Sequence, residues 1–135
     1  LKKKQSIRVV AAEIERNGAF LITQRRPTAV LPLLWEFPSG KVEPGETDEV
    51  ALRRELQWRL NADISVGKLS MFIKHEYEDY DLDFCVYRCE LLSETLSEHR
   101  VHAFRWVSTP ELEGYEFPPA DAQTIERLLA DREQD

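Results

Sequence analysis

Between Gly40 and Asn61 a glycine loop runs straight into an amphipathic helix, and this passage restricts the fold more than any other part of the chain. Thr47 or Asp48 is placed to cap the helix, and Asp48 and Glu49 put negative charge at the positive end of its dipole. Leu52, Leu56 and Leu60 recur every four residues and form a spine that needs a sheet to cover it. Asn61 stands where the chain needs a left-handed residue to stop the helix, a place Gly fills most often and Asn next. One buried helix of this kind implies strands before and after it.

Those strands can be read from the pattern. Ser6 to Glu15 and Ala19 to Gln24 are apolar and β-branched, and Asn17-Gly18 between them predicts an opening hairpin. Arg25-Arg26-Pro27 begins a loop, and Leu34 to Phe37 is a short extended piece stopped by Pro38 and Gly40. Ile64 to Glu76 and Leu82 to Leu91 read as two long strands, His102 to Val107 as another, and Pro119 to Arg132 as a surface helix. This order predicts an α/β sandwich around a mixed β-sheet, without the regular alternation of a doubly wound fold. With 135 residues and 42% hydrophobic content, the expected organisation is one domain over residues 1–135.

A formal charge of −7 and a pI near 5.1 argue against a broad basic surface for DNA or anionic membrane. A phosphate-bearing partner must then meet a local site, and nucleic acid is not an expected partner. No apolar run approaches the roughly 18 residues of a spanning helix, and the Lys-rich start lacks a signal-peptide core, so the expected location is the cytoplasm. Cys85 and Cys89 share a strand face about 13 Å apart, too far for a disulfide, and are expected to be free thiols.

Gly40 is followed after five residues by Glu46, and Glu46 after seven more by Arg54-Glu55-Leu56. This resembles the Nudix box, and three further segments resemble MutT-like members of that family: Gln24-Arg25-Arg26-Pro27, Leu34 to Glu43, and Phe117-Pro118-Pro119-Ala120-Asp121. The resemblance implies a Nudix-type α/β/α sandwich acting as a monomer or homodimer. It also implies magnesium-dependent, or manganese-dependent, hydrolysis of a nucleoside triphosphate to the monophosphate and pyrophosphate, oxidised purine deoxynucleotides among the candidates.

By the same resemblance Glu55 would be the base or a metal ligand, Glu46 an auxiliary carboxylate and Lys41 a phosphate contact. Ser39 would ligate metal through its main-chain carbonyl, and Glu98 through a loop carboxylate. Arg25 would contact phosphate, Phe37 would line the base pocket, and Asp121 would read the base. An ionised Asp121 would only accept hydrogen bonds and so favour bases that offer N–H groups. The rival role for Asp121 is to cap the final helix.

The box is broken at one point. Where the family has Glu-Glu this chain has Trp58-Arg59, on the same helix flank as Glu55. Arg59 is four residues after Glu55 and is placed to pair with it, which predicts a weakened metal site. Two other readings keep the fold without the reaction: a nucleotide-binding or regulatory domain, and a MutT-like recognition domain of a repair glycosylase. The acidic surface counts against the second.

Overall fold

The computed structural model describes residues 4–29 and 31–121. Its elements in chain order are β1 (Gln5–Arg16), β2 (Ala19–Gln24), β3 (Trp35–Glu36), β4 (Ser39–Lys41), α1 (Asp48–Leu60), β5 (Ile64–Glu76), β6 (Tyr80–Leu91) and β7 (Ala103–Ser108). Short 3-10 turns follow at Thr109–Gly114 and Pro119–Asp121. The predicted final helix, Pro119 to Arg132, begins with that second turn, and its remainder lies outside the described residues.

The sheet is mixed. β1 runs parallel to β6 and antiparallel to β4, β5 pairs β6 antiparallel, and β2 pairs β1, β3 and β7 antiparallel. The expected hairpin forms, with Asn17 and Gly18 at φ 55° and 81°, the left-handed conformations such a two-residue turn requires. Yet β1 and β2 pair only at Glu15 with Phe20 and Arg16 with Ala19. The rest of β1 is the central strand, held by β4 on one edge and β6 on the other.

Both edges of β1 are therefore paired, and Val10 to Ile14 are all buried. Val10, Ala12 and Ile14 pack with Leu52, Leu56 and Leu60 of α1, while Ala11 joins Phe37, Phe84, Val86 and Val107 on the opposite face. Cys85 is buried and Cys89 half-buried, both as free thiols, and burial pushes the Cys89 thiol up to about 12.

α1 starts and stops where its sequence says. The Thr47 hydroxyl accepts from the Val50 N–H at 3.2 Å, and Asn61 adopts φ 52°, ψ 41°. Arg8 of β1 grips Asp48 with two bonds of 2.7 Å, and the Tyr87 hydroxyl donates to the same carboxylate, tying the helix start to the sheet. No helix among the described residues is long and apolar enough to cross a membrane.

Candidate active site

Glu55 projects from the edge of the Leu spine and is only 7% exposed. It lies directly across Gly40 of β4. A Cβ at Gly40 would sit 2.1 Å from the Glu55 Cδ, so a glycine at the loop is the condition for a carboxylate in that position. Both carboxylate oxygens are held by guanidinium groups: Arg54 donates to Oε1 at 2.9 Å and Arg59 to Oε2 at 2.8 Å.

Arg54 does more than this. Its Nε and Nη2 also bind Glu46 at 2.7 and 2.8 Å, and Nη2 reaches the Lys41 carbonyl at 2.9 Å. Glu46 accepts a further bond from the Glu43 N–H, and with the Arg54 guanidinium this holds its carboxyl at about 2. Glu46 thus fastens the loop to the helix and aims Arg54 at Glu55. The Lys41 side chain is exposed.

Beside Glu55 an open cleft of about 380 Å³ is lined by Glu43, Arg54, Glu55 and Trp58. Trp58 is 48% exposed, and two guanidinium groups lie over its ring: Arg100 at 4.9 Å and Arg59 at 5.7 Å from the centroid. The backbone holds Arg100 there, because its N–H donates to the Arg59 carbonyl at 2.9 Å while the Ser97 N–H donates to Leu60. Glu98, on the same loop, is exposed, and among the described residues no hydrogen bond or ion pair involves its side chain.

Among the described residues no group of three or more His, Cys, Asp or Glu side chains gathers to hold a metal. The oxygen donors left at this flank are Glu55, Glu43 at the cleft and the Ser39 carbonyl. Ala12 donates to Pro38, and Val42 to Arg8, so the alternation of an antiparallel pair turns the Ser39 carbonyl away from β1. This set suits a hard cation only when the substrate's phosphates and water complete its shell, as magnesium commonly allows. Arg59 would have to release Glu55 for that to happen.

A second group of ionisable side chains gathers where β2, β3 and the last 3-10 turn meet. Arg25 donates to Glu36 at 2.9 Å, and the Trp35 N–H donates to the Glu116 carbonyl, bringing the segment that ends in Asp121 alongside. Glu36 is buried, which raises its carboxyl, opposed chiefly by Arg25. Asp121 is 3% exposed, and its Oδ1 has no hydrogen-bond partner among the described residues. Burial, reinforced by Glu36, pushes the Asp121 carboxyl well above its usual range. The shift favours the protonated form over a wider pH range than the sequence alone implies, and that form carries both a donor and an acceptor. Phe37 is fully buried, packed against Phe117 with ring centroids 5.7 Å apart.

The chain matches the NUDIX domain profile over residues 9–127. It belongs to the NUDIX family. Among similar proteins are the CTP pyrophosphohydrolase of Escherichia coli K12, 36% identical over 92% of both chains, and the 8-oxo-dGTP diphosphatase of Haemophilus influenzae, 37% identical over 89% of this chain and 90% of that one. The solution structure of the E. coli ORF135 protein superposes with a TM-score of 0.81 at 34% identity, covering 96% of this chain and 92% of that one. The expected NUDIX fold and family are thereby shown.

Three residues of the candidate site carry no role in the sequence reading: Arg54, Glu36 and Arg100. Arg54 stood within the motif itself, and Glu36 stood in a quoted segment beside Phe37. Arg100 carried no local signal.

Proposed function

We propose that this NUDIX domain hydrolyses nucleoside triphosphates to the monophosphate and pyrophosphate, by attack of water on phosphorus, acting on free nucleotides in the cytoplasm. One observation supports this reading above the others: a buried carboxylate, Glu55, laid across Gly40 beside an open cleft. Glu55 is the group that takes the proton from water, and Arg54, aimed by Glu46, orients it. Lys41 is assigned to the phosphates, and Arg25, which the sequence resemblance assigned to phosphate, bonds Glu36 at the Asp121 end and is assigned to holding that end of the site. When bound, Mg2+ or Mn2+ held by Glu55 and the Ser39 carbonyl supplies charge neutralisation on the phosphates and a more acidic water.

Asp121 is assigned to the base, with Phe37 shaping the wall behind it. When protonated, its carboxyl pairs one donor and one acceptor, which complements a carbonyl next to an N–H, as on the O6/N1–H edge of guanine. The similarity to an 8-oxo-dGTP diphosphatase and a CTP pyrophosphohydrolase makes oxidised purine and cytidine triphosphates the first substrates to try.

A second reading is favoured by a specific contact: both Glu55 oxygens are already taken by arginines, as suits a nucleotide-binding domain without turnover. Pyrophosphate release measured across a nucleotide panel with magnesium or manganese separates the two. Release with at least one nucleotide supports the hydrolase, and binding without release under any of these conditions supports the binding domain.

A further inference from the structure

We propose that Trp58, Arg59 and Arg100 form a direct binding site for a nucleotide's phosphate chain, so that the domain takes up nucleoside triphosphate without a divalent cation. The proposal rests on the reading that the ligand is a nucleotide, not on its hydrolysis.

The argument begins with charge. A triphosphate approaching a chain of net charge −7 needs local compensation, and on this flank few carboxylates remain to recruit a metal for it. Guanidinium groups are there instead. Arg54 is engaged by Glu46 and Glu55, and Arg59 binds Glu55 through its Nε, its terminal nitrogens making no hydrogen bond among the described residues. Arg100 has no carboxylate partner among the described residues, and its Nε–H is buried with no acceptor. A buried donor with nothing to bind is unfavourable in the folded chain, and among the described residues Arg100 carries no carboxylate that a phosphate would first have to displace.

Orientation supports the same conclusion. Both guanidinium groups lie over the indole of Trp58, and the bond from the Arg100 N–H to the Arg59 carbonyl locks the loop to the helix end. Planar groups held in place lose little freedom when they form paired bonds to phosphate, and guanidinium is weakly hydrated to begin with. The half-exposed Trp58 also lines the cleft that Glu55 borders, so phosphates on these arginines lie next to the candidate base. Glu43 and Glu55 border the same cleft, and their repulsion makes the arginines necessary rather than redundant.

The test is calorimetric titration of the full chain with dGTP and with inorganic tripolyphosphate, in EDTA and again in magnesium. Both probes are expected to bind in EDTA. Arg100→Gln, with an unchanged melting temperature, should weaken the EDTA affinity for tripolyphosphate about tenfold, the effect of losing one charge-assisted phosphate contact. Trp58→Phe, which keeps an aromatic support, should weaken it less. Binding seen only after magnesium is added, or an Arg100→Gln variant within twofold of the parent in EDTA, would overturn the proposal. Pyrophosphate release assayed on the same samples reports on hydrolysis separately, so a domain that binds in EDTA but never releases pyrophosphate loses the hydrolase reading and keeps this site.

Discussion

Two clusters of acids and arginines lie on this molecule, and they are balanced in opposite ways. Along the α1 flank, Glu46 and Glu55 are both held by guanidinium groups, and a further arginine waits over Trp58. Where β2 and β3 meet the last 3-10 turn, two buried carboxyls, Glu36 and Asp121, face Arg25, which bonds Glu36 alone of the two, and among the described residues one Asp121 oxygen is left without a partner. Surplus cation suits a phosphate chain, and surplus acid suits protonation and the edge of a base. The contrast orients a nucleotide: phosphates toward the helix flank, base toward Asp121.

The harshest way to break this picture is at Glu55. Glu55→Gln should lower pyrophosphate release by on the order of 10²–10⁴, the usual contribution of a general base, while the fold survives. Release within a few-fold of the parent would place the chemistry elsewhere. Gly40→Ala attacks the same carboxylate from below, because the new methyl must displace it. Its expected effects are a loss of release of at least about tenfold and about 1–3 kcal/mol of stability by chemical denaturation, the range for overpacking.

The opposite cluster is sharpened by Asp121→Asn. Burial raises the folded carboxyl above its ordinary 3.8, so the folded state holds the proton more tightly than the unfolded chain. That stabilisation is complete below about 3.8 and is lost as pH rises through the folded value. The asparagine variant, unable to ionise, should therefore gain melting temperature relative to the parent as pH is raised. A difference that stays constant with pH contradicts the protonated carboxyl.

The smallest effect is expected at Glu46, where the shift runs the other way. Its carboxyl is held at about 2, so its contribution is present above its ordinary 4.5 and lost as pH falls through about 2. Glu46→Gln should lower the melting temperature slightly near neutral pH, and the difference should vanish in strong acid.

How much of this was legible depended on whether the cause was local. The turn at Asn17-Gly18, the Thr47 cap, the Leu spine and the left-handed Asn61 are each set within a few residues, and each appears in the structure as expected. The pairing of Arg59 with Glu55 followed from helix geometry alone. The role of β1 as a central strand was not legible, because periodicity says which faces are buried and nothing about how many neighbours a strand has. The upward shift of the Asp121 carboxyl was not legible either, because it comes from burial, reinforced by Glu36, which lies far from it in sequence. Arg100 meets Trp58 only because a loop is tied to the end of α1.

The central claim is that Arg59, and Arg100 over Trp58, put guanidinium charge on the helix flank where the sequence resemblance would place metal-binding carboxylates. The most direct test is a magnesium titration of Trp58→Glu/Arg59→Glu against the parent, after circular dichroism has confirmed the fold. Because Trp58 is half exposed, the variant should lose less than the 3–5 kcal/mol typical of a buried aromatic and remain folded. Two carboxylates gained and a competing cation removed should tighten magnesium binding at least about tenfold. A folded variant that binds magnesium no better than the parent would contradict the claim.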